Sequence, residues 1–553
     1  MTSDLHEPGR RGNASDLCSP ERRSVVKGMI SLGAGLAASS FSSEMAQAQS
    51  SPASKPAQPV VVTSAGDDVG PIVPSSGAGR YFHVFYPASQ KPDELQIAVN
   101  YTLWMPDDIQ TVRGVIVHQH GAGLGAAHAG AYSAYDLHWQ ALARKWDCVL
   151  LGPTYRVIND AIDLTPGGAE LWFDPRHGSD KTFFRSLDEI GSQSGHPEIA
   201  TVPWALWGHS GGGIWSNAMS NLYPSRIAAV FLRSGTDAMF RTKLEFRQPE
   251  VPEEVYAIPT MVNAGIQEKK NLPWAGSIAT FREFRAYGAP IGWAPDPRTG
   301  HACGDSRYLA IPFFDACLAM RLPEKGARTQ ALRPVDQSQG WLVADAGDTA
   351  VPASEFKGDP RQAIWLPSAA VARIWMDYVK TGGVANSGIP PAPFNVRVND
   401  KGDQGKEVTW DAVADIESGL GGFIVLRDGQ GVARLPAQPP EQVFGSPLFQ
   451  GLSFHDTPYD PLPRMAYLDA SAKPGVDHVY TVIALSSAGV PSLPIASPAE
   501  MRSLERNKNG SSTKQSVGME FYGLPPIGQK QRRPMDGAQF HSLWVGEAGG
   551  RLT

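Results

Sequence analysis

The stretch Trp204-Ala205-Leu206-Trp207-Gly208-His209-Ser210-Gly211-Gly212 passes from a strand-like apolar run into a glycine-rich turn, and residues 214–222 behind it read as a helix. A serine at such a strand-turn-helix junction projects its hydroxyl above the sheet, while small neighbours let the backbone follow a strained path. The first turn of the helix adds unsatisfied N–H groups and a positive dipole end, both suited to developing negative charge. Ser210 is therefore the candidate nucleophile. A serine hydroxyl attacks poorly unless a base removes its proton, so the flanking sequence is read for a histidine and a carboxylate.

Around this junction, from 60 to 388, short apolar runs alternate with helix-like segments, the pattern of a mostly parallel sheet with helices on both faces. Strands are expected at 81–86, 95–104, 114–119, 148–151, 204–207, 228–232, 260–264 and 290–294. Their β-branched and apolar content suits burial on both faces. The turn-rich insertion 154–180, carrying Trp172 and Phe173 ahead of a helix at 181–190, is expected either to cap a pocket or to pack as a surface loop.

After Ser210 come the strand 260–264 with the turn Gly265-Ile266-Gln267-Glu268, and then, beyond a helix and the strand 290–294, Gly300-His301. This order resembles the α/β-hydrolase family over about residues 60–323; that family runs serine, acid, histidine along the chain. The resemblance implies His301 as general base and Glu268 as the carboxylate that orients it, with Asp237 as the alternative acid. His118-Gln119-His120-Gly121-Ala122-Gly123 resembles the family's oxyanion loop. Gly211, together with Ala122 or Gly121, is then expected to offer N–H groups to the developing alkoxide. No cofactor is implied. The pair His118 and His120 keeps a metal hydrolase open as a rival, although no HExxH or paired-cysteine motif accompanies it. A non-catalytic binding protein on the same fold is the remaining alternative.

At 553 residues the chain exceeds one ordinary core, and a second module is expected. The stiff segment Ile389-Pro390-Pro391-Ala392-Pro393 marks the boundary. Beyond it, 394–398, 407–410, 422–427 and 480–485 are strand-like and spaced by Asp/Gly turns, as in a small β-sandwich. Val408-Thr409-Trp410-Asp411, Gly422 to Gly429 and Tyr480-Thr481-Val482 resemble fibronectin type III domains, which places such a module at 389–499. The tail 500–553 is polar and aperiodic and reads as disordered.

With 19% charged residues and a formal net charge of −6, the chain has no basic field for nucleic acid or an anionic membrane. No segment is apolar over a length that would span a bilayer. Arg22-Arg23-Ser24-Val25-Val26-Lys27, the weakly apolar run 28–38 and the triplet Ala46-Gln47-Ala48 resemble a twin-arginine export signal over 1–48, with a Ser/Pro/Ala/Gln-rich linker at 49–59. A periplasmic or secreted protein is expected. There Cys303 and Cys317 form a disulfide, or remain with Cys148 as buried thiols. Triad chemistry suits esters, thioesters, amides and peptides alike, with esters the common case. The architecture resembles modular polyester depolymerases and feruloyl esterases, so the substrate is a small-molecule or polymeric ester. Trp172, Phe173 and Trp215 are candidates to line its pocket.

Overall fold

The computed structural model describes residues 79–91, 93–156, 169–239, 251–325, 331–385, 388–438, 448–459 and 464–493. The signal at 1–48, the linker at 49–59, part of the insertion (157–168) and the tail at 500–553 lie outside the described residues.

Eight strands form one sheet: β1 (Gly79–Tyr86), β2 (Val99–Pro106), β3 (Gly114–Gln119), β4 (Cys148–Tyr155), β5 (Trp204–His209), β6 (Ile227–Arg233), β7 (Thr260–Gly265) and β8 (Ile291–Asp296). Their order is β1-β2-β4-β3-β5-β6-β7-β8. β1–β2 and β2–β4 pair antiparallel, and every later pair is parallel. Among the described residues seven α-helices accompany these strands: α1 (Leu124–Gly130), α2 (Leu137–Lys145), α3 (Ser179–Ser194), α4 (Gly211–Leu222), α5 (Leu272–Ala286), α6 (Arg307–Arg321) and α7 (Ala369–Thr381). α4 and α6 both pack on β5 and β6, α5 on β7 and β8, and α2 on β2 and β4. This is the α/β-hydrolase arrangement, a mostly parallel sheet covered by helices on both faces. Every residue of β3, β4, β5, β6, β7 and β8 is buried, which explains why these strands read as continuous apolar runs rather than alternating ones.

Two strands begin later than expected, while others run further, β4 as far as Tyr155 rather than 151. The second strand begins at Val99, not at 95, because the Leu95 carbonyl is turned back to accept from Ser89 N at 2.8 Å. The eighth begins at Ile291: Pro290 has no N–H to give, and only its carbonyl joins the pairing, accepting from Thr260 N at 3.0 Å. Between α6 and α7 the chain adds a small antiparallel sheet of β9 (Trp341–Val343), β10 (Val351–Pro352) and β11 (Ile364–Leu366), too short to leave a readable period. Cys148, Cys303 and Cys317 are all buried free thiols, so the disulfide alternative is not realised.

The second module holds two three-stranded antiparallel sheets. One is β12 (Phe394–Asp400), β13 (Lys406–Asp411) and β16 (Ala466–Asp469); the other is β15 (Gln430–Leu435), β14 (Gly422–Arg427) and β17 (Tyr480–Leu485). Val408 and Trp410 of one sheet meet Phe423, Val425, Tyr480 and Val482 of the other in a single apolar core, which makes a small β-sandwich. That core also contains Leu137 from the start of α2 and Tyr135 from the short turn just before it. Gln450 spans the same seam, accepting from Leu137 N at 2.9 Å and donating to Tyr135 O at 2.7 Å.

A buried ion-pair cluster lies deeper at this boundary. Arg307 on α6 donates through Nε to Asp456 at 2.7 Å and through Nη2 to Asp136 at 2.6 Å, with all three side chains inaccessible or nearly so. Burial opposes a charged Arg307, but the two carboxylates overcome it and hold the guanidinium well above its usual range. Losing one member of such a cluster strands the others as unpaired buried charges, which costs about 3–5 kcal/mol.

Candidate active site

Ser210 occupies the turn between β5 and α4 with φ 55° and ψ −120°, a conformation L-residues rarely adopt. The surroundings enforce it. Ser210 N donates to Arg233 O at 2.8 Å. A Cβ on Gly235 would lie 1.9 Å from Ser210 O, and one on Gly212 would lie 2.4 Å from Gln119 O and His120 O, so both positions demand glycine. The residue as a whole is 3% exposed.

His301 is 14% exposed at its side chain and lies on the loop after β8. Its Nδ1 is 2.9 Å from Glu268 Oε2. Glu268 ends the single helical turn Ile266–Glu268 that follows β7. Ser234 Oγ donates to Oε1 of the same carboxylate, and Arg233 Nη1 approaches that oxygen at 3.9 Å. Burial pushes the Glu268 carboxyl up, but the opposing pull of His301, Arg233 and Ser234 is stronger and holds it below the ordinary glutamate value. A carboxylate anion thus faces Nδ1, which fixes that nitrogen as the N–H and leaves Nε2 as the proton acceptor. Nε2 is buried with no hydrogen-bond partner among the described residues.

The backbone under His301 is gripped from the side of the Ser210 turn. Arg233 Nη2 donates to Gly300 O at 2.9 Å and also to Ala302 O, and His209 Nε2 donates to His301 O at 2.8 Å. Residues 209 and 233 also carry the turn, through the chain itself and through the Ser210 N bond. The serine and the histidine are therefore mounted on one bracket.

Asp237 lies elsewhere. It accepts from Asn221 Nδ2 at 2.8 Å, its own N–H donates to Asn217 Oδ1 at 3.1 Å, and it packs beneath α4. Between the two candidate acids, Glu268 is the one that meets the imidazole. The loop after β3 comes to Ser210: a Cβ on Gly121 would lie 3.2 Å from Ser210 Cβ, and one on Gly211 would lie 3.0 Å from Ala122 N. Ala122 and Gly211 are thereby close neighbours beside the Ser210 turn.

Both histidines ahead of this loop have other partners. His120 Nδ1 meets Gly121 O at 2.5 Å and its Nε2 accepts from Tyr155 N at 3.1 Å. His118 stacks on Trp207 with centroids 3.9 Å apart and directs Nε2 at Asp456, 3.4 Å away. The described residues contain no group of three or more His, Cys, Asp or Glu side chains placed to hold a metal. Of the three aromatic candidates, Phe173 approaches the turn, its ring 3.3 Å from where a Gly211 Cβ would be. Trp172 stacks on Tyr155 at 4.3 Å, and Trp215 donates to Ser179 Oγ at 3.1 Å, fully buried among Phe183 and its neighbours. The geometry of these two is that of core packing.

Sequence reasoning missed the third wall of the site. Phe454, His455 and Asp456 come from the second module. The Phe454 ring lies 6.3 Å from that of His301, and His455 Nδ1 is 3.0 Å from His209 Nδ1. Nothing in a loop of the sandwich, 246 residues beyond His209, marks it as part of this site.

Several of these imidazoles are held neutral. Burial, as the leading cause, pushes His120 and His138 down to about 4, His455 to about 3 and His209 well below its usual value. Unfolded, the same groups titrate near ~6.5. Folded pKa values depressed in this way give stability that is complete above the unfolded value and is lost as pH falls toward the folded ones. The denaturation midpoint is therefore expected to be flat above about pH 7 and to drop between ~6.5 and ~4, before most carboxylates titrate. A midpoint constant down to about pH 4.5 would contradict the assignment.

The chain matches no family model and no curated protein. Solved structures similar to it include a ferulic acid esterase, at 14% identity over 40% of this chain and 91% of that one, with a TM-score of 0.28. Another is an S-formylglutathione hydrolase from Agrobacterium tumefaciens, at 15% over 44% and 95%, with a TM-score of 0.31. A third is a fluorophosphonate-binding serine hydrolase of Staphylococcus aureus, at 11% over 40% and 91%, with a TM-score of 0.29. Likenesses of this size carry no argument about the chemistry of this chain. No helix among the described residues is long and apolar enough to cross a membrane.

Proposed function

We propose that the protein is an exported serine esterase that hydrolyses carboxylic esters through an acyl-enzyme on Ser210. The observation that carries this is a strained serine turn tied through His209 and Arg233 to the segment of a histidine whose Nδ1 is 2.9 Å from a buried, ionised carboxylate. In this reading His301 Nε2 takes the Ser210 proton as Oγ attacks the ester carbon, and the imidazolium is stabilised by Glu268. The N–H groups of Gly211 and Ala122 hold the alkoxide of the tetrahedral intermediate. His301 then gives its proton to the departing alkoxide, which leaves as an alcohol. Water, deprotonated by the same imidazole, cleaves the acyl-enzyme to free acid and Ser210.

The twin-arginine pattern of residues 22–27 supports export. Phe173 beside Gly211 favours an acyl group with apolar or aromatic character. The test is a panel of p-nitrophenyl esters of graded acyl length beside a hydroxycinnamate ester and a peptide. Turnover of at least one ester, with fluorophosphonate labelling at Ser210, is the expected result; cleavage of the peptide alone, or labelling at another residue, overturns the reading.

A further inference from the structure

The loop Leu452 to Pro458 leaves the sandwich and enters the hydrolase module. It is closed on itself: Leu452 bridges Pro458, Ser453 N donates to Thr457 O at 2.8 Å, and Ser453 Oγ meets Thr457 Oγ1 at 2.7 Å. At its tip Asp456 is forced to φ 61°. Its carboxylate, fully buried, accepts from Arg307 Nε at 2.7 Å and from Trp139 Nε1 at 3.2 Å, and faces His118 Nε2 at 3.4 Å. Cys303 N, two residues past His301, donates to Phe454 O at 3.0 Å. The loop thus touches the strand end before the oxyanion loop, the segment after the base, and, through His455, the residue before the nucleophile.

The hydrogen-bond chain has a fixed direction. A carbonyl only accepts, so His209 Nε2 must carry the proton it gives to His301 O. Neutral His209 then offers Nδ1 as an acceptor, and the partner 3.0 Å away, His455 Nδ1, must be the donor. Two imidazoles stand in series, each with one tautomer, ending on the backbone of the base. Apolar side chains would fill this space without the desolvation cost of two buried imidazoles.

We propose that His455, delivered by the second module, is a positioning residue for hydrolysis: it fixes the tautomer of His209, which holds the His301 backbone at the distance the Ser210 proton transfer requires. This rests on the serine-esterase reading of the site. It gives the sandwich a role inside the active centre, in place of a purely external one.

The test uses the full chain and p-nitrophenyl acetate. Asparagine can place an amide N–H where imidazole Nδ1 stands, glutamine reaches instead to the Nε2 position, and leucine supplies no donor. His455→Leu and His455→Gln are expected to lower kcat by roughly 10- to 100-fold, the scale of small misplacements of a catalytic group, with KM nearly unchanged. His455→Asn is expected to recover most of the loss, with Ser210 labelling by a fluorophosphonate following the same ranking. If the leucine variant does not fold, the contrast between asparagine and glutamine decides alone. Wild-type kcat in the glutamine variant, equal losses in the asparagine and glutamine variants, or losses that track a fallen Tm all overturn the proposal. A wild-type enzyme not labelled at Ser210 overturns the esterase reading, and this role with it. A labelled wild type with an indifferent His455 overturns this role alone.

Discussion

Ser210→Ala is expected to abolish ester turnover, lowering kcat by roughly 10⁴- to 10⁶-fold, while leaving the protein folded. The size follows from the geometry: Ser210 is the residue held at the elbow, and its removal leaves His301 with no hydroxyl to deprotonate. Residual rate would come from backbone donors and binding alone. The strain at φ 55° belongs to the turn rather than to the hydroxyl, since Gly212 and Gly235 permit the close approaches that enforce it. Thermal unfolding of the variant should therefore stay close to that of the wild type. Hydrolysis of p-nitrophenyl esters beside calorimetry checks both halves, and retained turnover in a homogeneous preparation would remove Ser210 from the mechanism.

The second large effect separates two acids. Glu268→Gln should lower kcat on the order of 10³- to 10⁴-fold, because an amide lacks the charge that favours the imidazolium and can orient the ring in the wrong tautomer. The loss should be stronger than a surface carboxylate would show: Glu268 is buried and kept ionised, so its field at Nδ1 is little screened. Asp237→Asn should leave kcat within a few-fold of wild type, since Asp237 bonds to Asn217 and Asn221 beneath α4. Steady-state kinetics on both variants is sufficient, and the reverse ranking would transfer the role to Asp237.

The parts of this site that were legible in the sequence are those whose physics is local. Gly208 to Gly212 announces a sharp turn because only small residues allow it, and the fully buried strands around it show as unbroken apolar runs. Glu268 and His301 were reachable because each lies just after a strand of the parallel sheet, where such a fold gathers its functional loops. His455, in the third wall of the site, was not reachable. Ser453-Phe454-His455-Asp456-Thr457 looks like any polar turn between strands, and its meaning lies in contacts with residues 118, 209 and 307 that no periodicity encodes. Arg307 is similar: within an apolar helix it reads as an isolated charge, and only the fold supplies its two carboxylates. Trp172 and Trp215, aromatic residues for which sequence leaves pocket lining and core packing both open, spend their volume on the core.

Tyr135 and Leu137, counted by chain position with the first module, spend their apolar surface inside the sandwich core. A boundary drawn at the prolines of 390–393 follows the covalent chain but cuts across the packing. The two halves are therefore expected to share one melting event rather than two, and exchange of either for a homologous part to require rebuilding a seam that lies inside the other. In a recombination experiment the smallest heritable piece is the pair.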